Sequence, residues 1–155
     1  MPCLWLNHNK SQIFINVAIF DANGLVDLGG GEVDFGAGNI NDHMFKALVD
    51  TGAQRTMISK AAAQKLKLRP IGKFPVLGVG GVSYHNNYLF NVGFVVGSKG
   101  SGENEYKFEA HILQDLIQGG ELDLENAGFD VLLGMDVLAT GSLAVEGVGT
   151  FSFSF

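Results

Sequence analysis

A chain of 155 residues, 46% hydrophobic and 17% charged, is too apolar to stay disordered. It is long enough to bury roughly two-thirds of its unfolded surface without a disulfide or metal staple. Its net charge of −6, with ten dispersed Lys and Arg, argues against nucleic acid, whose phosphates need clustered cations.

The single cysteine, Cys3, cannot form an internal disulfide, so nothing calls for an oxidising compartment. The first ten residues lack the basic and apolar regions of a signal peptide, and no apolar run approaches the ~20 residues of a membrane span. The expectation is one cytoplasmic domain over residues 1–155, with neither a membrane nor a nucleic acid as partner. Twenty-two glycines, about twice the usual share, lie among Val, Leu, Ile and Phe runs. That pattern predicts short strands joined by tight turns, an all-β chain with little helix.

In chain order, Ile13 to Phe20 reads as a buried first strand, ended by the turn Asp21-Ala22-Asn23-Gly24. The glycine-rich stretch 29–38 reads as a connection holding one short strand over Glu32 to Phe35. Phe45 to Val49 is the next strand and leads straight into Asp50. Ser59 is placed to N-cap a helix over Lys60 to Leu66, which Pro70 ends. Lys60, Lys65, Lys67 and Arg69 then form a solvated helix face. Phe74 to Val96 reads as a long hairpin with its tip at Gly78-Val79-Gly80-Gly81, followed by a polar turn over Ser98 to Asn104. Tyr106 to Leu113 is a further strand, and the mixed residues 114–128 suggest one irregular helical turn. Phe129 to Leu133 predicts a short strand and Met135 to Ala139 a short helix. Leu143 to Val145 and Thr150 to Phe155 are two closing strands.

The sharpest chemical signal is Ala47-Leu48-Val49-Asp50-Thr51-Gly52-Ala53. A buried strand holds the acid rigidly, and the glycine lets backbone N–H groups approach its carboxylate. Two such carboxylates sharing one proton, one acting as base and one as acid, activate a water for attack on a peptide carbonyl. Alone, Asp-Thr-Gly is as readily an acid capping a turn. A second segment, Phe129-Asp130-Val131-Leu132-Leu133-Gly134-Met135-Asp136-Val137-Leu138, lies about eighty residues downstream and reads as strand, glycine, helix.

With both segments in this order, the chain resembles the retropepsins, the retroviral-type aspartic proteases, above all their cellular and bacterial single-domain relatives. The resemblance covers residues 45–155, the motif-bearing core, and leaves 1–44 as an N-terminal extension of unassigned role. It implies an all-β acid-protease barrel with one or two short helices, a homodimer with its active site on the two-fold axis. Asp50 would be the catalytic carboxylate, with Thr51, Gly52 and Ala53 supporting its loop and the Thr51 hydroxyl bonding across to the other subunit. Leu132, Leu133 and Gly134 would pass behind that loop. Gly78, Val79, Gly80 and Gly81 fall where the family carries its flap, a hairpin that closes over an extended peptide. A plain hairpin with a glycine bulge is the other reading. Tyr84 and Tyr88 lie either over the cleft or half-buried in the hairpin strands.

Only one Asp-Thr-Gly occurs, so an active pair requires two copies of the chain. The terminal Phe151-Ser152-Phe153-Ser154-Phe155 alternates cleanly. It pairs with its mate across the dimer or covers its own core, and the sequence leaves both open. The expected activity is an aspartic endopeptidase acting on extended peptide, without cofactor or metal. A catalytically silent module that binds peptide or dimerises is the alternative. Rival chemistries lack their signatures: the four histidines, His8, His43, His85 and His111, have no zinc-ligand spacing, and Ser59 and Ser83 lack a nucleophile elbow. There is no phosphate loop, and Cys3 beside the terminus is a weak nucleophile.

Overall fold

Ile15, Val17, Ala18, Ile19 and Phe20 are all buried, so strand β2 (Phe14–Asp21) has core on both faces, as a continuous apolar run requires. The computed structural model describes residues 3–9, 11–22, 26–27, 33–34, 40–100, 106–123 and 126–155; for 26–27, 33–34, 96–100 and 106–109 it describes the backbone alone. The other elements are β1 (Cys3–Asn7), β3 (Val26–Asp27), β4 (Val33–Asp34), β5 (Met44–Val49), β6 (Met57–Ser59), α1 (Lys60–Lys65), β7 (Pro70–Gly78) and β8 (Gly81–Gly100). They continue with β9 (Tyr106–Ile112), β10 (Ile117–Leu122), β11 (Val131–Leu133), α2 (Met135–Leu138), β12 (Ser142–Glu146) and β13 (Thr150–Ser154).

The main sheet has the order β10-β6-β11-β5-β2-β8-β7, with β9 added on β8. Because β10 also pairs with β8, from Ile117↔Phe90 to Gly120↔Asn87, the strands close into a ring. The long strand β8 makes closure possible. Its first part pairs with β7, its middle with β10 and β2, and its end with β9. Ile19, Phe90, Phe94, Val17, Val92, Ile58, Val131, Leu133 and Val137 fill the interior. Such burial is the dominant stabilising contribution, on the order of 2 kcal/mol per large apolar side chain.

A second sheet, β1-β13-β12, lays Phe151 and Phe153 against the barrel, with the Phe153 ring 5.3 Å and the Phe155 ring 4.6 Å from that of Phe94. The terminal phenylalanines therefore cover their own core. Since β1 and β12 occupy both edges of β13, that strand has no free edge to offer a second copy. Strand β1 itself was not expected from the sequence, because Cys3–Asn7 has no apolar face long enough to announce it; its register with β13 comes from Leu4 and Leu6 meeting Phe153 and Phe151.

Other expectations need correction. Residues 117–122 form strand β10 instead of a helical turn. Gly119 and Gly120 are poor helix formers, and a Cβ on either would lie within 2.6 Å of the Phe90 ring or of Phe74 and Met57, so only glycine admits those side chains. The helix after Ser59 ends at Lys65, where Lys67 turns the backbone to a φ of 54°; Pro70 instead opens β7. Ser59 does cap it, accepting from Ala62 N. Ser98 to Gly100 extend β8 instead of turning, and the remainder of that expected turn, 101–104, lies outside the described residues, as do Asn23 and Gly24. The short strand expected over Glu32 to Phe35 is described only as Val33–Asp34, paired with Val26–Asp27. No helix among the described residues is long and apolar enough to cross a membrane.

Tyr88 on β8 is buried and donates its hydroxyl proton to Glu121 on β10, where Asn86 also donates to the same carboxylate oxygen. Burial, and then the bond to Glu121, hold the phenol above the usual tyrosine range. A raised folded value means stability that is complete below the unfolded tyrosine pKa, near 10, and lost as pH rises through the folded one. From about pH 9 to about pH 11, melting of the unsubstituted protein should therefore fall faster than that of Tyr88→Phe. Parallel melting curves would contradict this.

Candidate active site

Strand β5 delivers Asp50 to a loop that runs to Thr56 and enters β6. The loop is bonded at several points. Asp50 N donates to Leu133 O (3.0 Å), Ala53 N to Asp50 O (3.2 Å), and Gly52 N to Asp50 Oδ1 (2.9 Å). A Cβ on Gly52 would meet that same oxygen at 3.2 Å, so glycine keeps the approach open. Asp50 is half-buried, while Thr51 and Gly52 are exposed. Among the described residues, the Thr51 hydroxyl makes no hydrogen bond and no cation pairs with Asp50.

Strand β11 is inserted between β5 and β6, the two strands that flank this loop. It runs parallel to β5 (Leu133↔Val49) and antiparallel to β6 (Leu132↔Met57). Leu133 is buried, Leu132 partly so. At the end of β11, a Cβ on Gly134 would lie 2.5 Å from the carbonyl carbon of Arg55, a backbone atom that cannot step aside. Glycine here lets the strand press against the loop. Beyond it, Met135 N donates to Ala53 O (2.8 Å) and Asp136 N to Gln54 O (3.2 Å).

Asp136 and Thr56 lock the arrangement, and sequence reasoning passed over both. Asp136 Oδ1 accepts from Thr56 Oγ1 (2.7 Å) and Val137 N (2.9 Å), and Oδ2 accepts from Thr56 N (2.9 Å). The fully buried Thr56 hydroxyl in turn accepts from Gly134 N (3.1 Å). Asp136 lacks the Asp-Thr-Gly context that marks Asp50. The available signal was an acid in the first turn of a short helix directly after a strand-ending glycine.

Arg55 joins the loop to the strands beyond. Its Nη2 donates to Asn87 Oδ1 (2.8 Å) on β8 and Gln118 O (3.0 Å) on β10, and its guanidinium lies 5.1 Å over the Phe74 ring on β7. The hairpin β7–β8 turns at Val79-Gly80 between the facing Gly78 and Gly81, the latter with φ 108°. Leu77, Val79, Val82 and Tyr84 are exposed around that tip, whereas Tyr88 is in the core. The two tyrosines paired in the sequence reading thus part company.

Cavities of about 440 Å³ beside β1 and β5, and of about 780 Å³ beside α1, are not lined by any residue from Asp50 to Thr56. Among the described residues, no three His, Cys, Asp or Glu side chains converge as metal ligands would. The site can therefore offer a rigid, half-exposed carboxylate on an open surface, with a hairpin bearing apolar side chains joined to its loop through Arg55.

The profile of the aspartyl protease family matches residues 37–137. The rat protein named Protein DDI1 homolog 1 (Rattus norvegicus) is 28% identical over 112 residues, covering 69% of this chain and 23% of that protein. The chain thus spans about a quarter of that relative's length. The crystal structure of a retropepsin-like aspartic protease from Rickettsia conorii superposes with a TM-score of 0.54 at 18% identity, over 97% of this chain and 89% of that one. This last likeness is one of fold.

Proposed function

The chain belongs to the aspartyl protease family and has a retropepsin-like fold, and from that premise we propose that it is one subunit of a homodimeric aspartic endopeptidase. Asp50 and its counterpart in a second copy form the catalytic pair. The observation that carries this reading is the loop itself: one Asp-Thr-Gly, clasped by β11 and the Asp136–Thr56 bonds, presenting a carboxylate on an open face. A two-fold axis beside Asp50 would bring the second carboxylate that the chemistry needs.

Two carboxylates that close share a proton. The ionised one takes a proton from water as the water oxygen bonds to the scissile carbonyl carbon. The protonated one gives its proton to the carbonyl oxygen. The carboxyl that took the water proton then gives it to the amine nitrogen while the other takes a proton from a hydroxyl of the tetrahedral species. The C–N bond breaks, acid and amine leave, and the pair again holds one proton. The β7–β8 hairpin serves as the flap, covering an extended peptide and excluding water, with Gly78, Val79, Gly80 and Gly81 at its tip. Thr51 braces the paired loops.

Subunit mixing tests the shared site. With substrate in excess, an equal amount of Asp50→Asn chain added to a fixed amount of unsubstituted protein should reduce activity to about half, and a threefold amount to about a quarter, because random pairing strands active chains in mixed dimers. Activity that ignores the added chain would overturn the shared site. No cleavage of an unfolded peptide mixture by the unsubstituted protein would overturn the endopeptidase reading and favour a silent peptide-binding module.

A further inference from the structure

The Arg55 guanidinium is held in place with no anion beside it among the described residues. Both hydrogens of Nη2 are taken by neutral acceptors, Asn87 Oδ1 and Gln118 O, and its face rests over Phe74. The Nε and Nη1 hydrogens have no acceptor among the described residues. The side chain is half-buried, in a chain with sixteen acidic residues against ten basic ones. Partly buried arginines usually find a carboxylate, because desolvating an unpaired charge is costly. Here no carboxylate among the described residues pairs with it.

Its place matters as much as its charge. Arg55 follows Asp50 in the same loop, its backbone is pressed by Gly134, and its side chain ends between that loop and the root of the β7–β8 hairpin. A strut joining loop to hairpin would use Nη2 and the ring face alone. With both Nη2 hydrogens taken, the guanidinium keeps Nε–H and Nη1–H donors in fixed directions, each able to give a carboxylate oxygen one charge-assisted hydrogen bond with little ordering cost.

Resting on the endopeptidase reading, we propose that Arg55 binds a side-chain carboxylate of the substrate, so that the protein selects Asp or Glu at one position near the scissile bond. Asn87 and Phe74 are positioning residues that aim the guanidinium. The apolar side chains of the hairpin tip, Leu77, Val79 and Val82, cover the flanking positions.

Binding to the Asp50→Asn protein separates this recognition from turnover. The probes are peptides blocked at both ends, so that the side chain is their only carboxylate. They carry Asp or Glu, or else Asn or Gln, at each position in turn, and fluorescence anisotropy reads their affinity at constant ionic strength. At one position the acidic peptide should bind about tenfold tighter, the factor of one charge-assisted hydrogen bond. Adding Arg55→Gln should erase the preference, Arg55→Lys should keep part of it, and Arg55→Glu should shift it toward Lys at that position. Equal affinity for acid and amide at every position would overturn the proposal, as would a preference that survives Arg55→Gln or a failure to bind any peptide. The first comparison needs no change at Arg55, so a misfolded variant does not shield the proposal. If the acid preference is present while the unsubstituted protein cleaves nothing, the endopeptidase reading fails and the Arg55 site stands.

Discussion

On the proposed shared site, Asp50→Asn is expected to lower kcat by about a thousandfold or more, the scale of a lost general acid–base pair. The amide cannot take a proton from the attacking water, and its oxygen is a poor substitute for a carboxylate. The fold should survive, because the hydrogen bond that the carboxylate accepts from Gly52 N, its one bond among the described residues, is available equally to an amide oxygen. Stability should change by less than about 1 kcal/mol, as for a substitution that breaks no buried network. Single-turnover cleavage of a peptide that the unsubstituted protein cuts, with circular dichroism alongside, checks both halves. A folded Asp50→Asn protein that still cuts at the original rate would remove Asp50 from the mechanism.

Asp136→Ala should damage the protein by a different route. It removes the acceptor for Thr56 Oγ1, Thr56 N and Val137 N, and Thr56 is fully buried. Hydrogen bonds to a charged group contribute about 1.5–3 kcal/mol each, and buried donors left unpaired add a desolvation cost. The loss should be about 3–4 kcal/mol, near the upper end for a single substitution. For a chain of this size that is a fall of about 10 °C in melting temperature. Catalysis should fall as well, since Thr56 holds Gly134 and Gly134 presses on the loop. Asp136→Asn should lie between the two proteins: its oxygen can serve Thr56 Oγ1 and Val137 N, but its amino group faces the Thr56 N–H. Urea unfolding gives the stabilities. An Asp136→Ala midpoint equal to that of the unsubstituted protein would show that the Thr56–Asp136 bonds contribute nothing.

The physical standing of these two acids explains how far the site was legible beforehand. Asp50 announces itself through its neighbours, because a buried strand, a small hydroxyl residue and a glycine are all required within four positions. Asp136 has no such local signature; its role depends on Thr56, eighty positions earlier in the chain. Arg55 is similar. Its significance lies in what surrounds it, Phe74, Asn87 and Gln118 from three different strands, and in the absence of a carboxylate among its described neighbours.

The same division runs through the fold. By itself the sequence determined the all-β class, the capped helix after Ser59 and the β7–β8 hairpin with its glycine tip. Those features follow from short-range rules: side-chain periodicity, capping and turn chemistry. Tertiary structure decided that β10 is a strand, since its glycines are explained only by the aromatic rings pressed against them. It also decided that β2 is central, between β5 and β8, although it lies outside the motif-bearing core. The place of β13 between β1 and β12 was likewise a tertiary outcome. These outcomes depend on which distant segments share an edge or a face, and no local pattern encodes that choice because its energy comes from contacts between residues far apart in the chain.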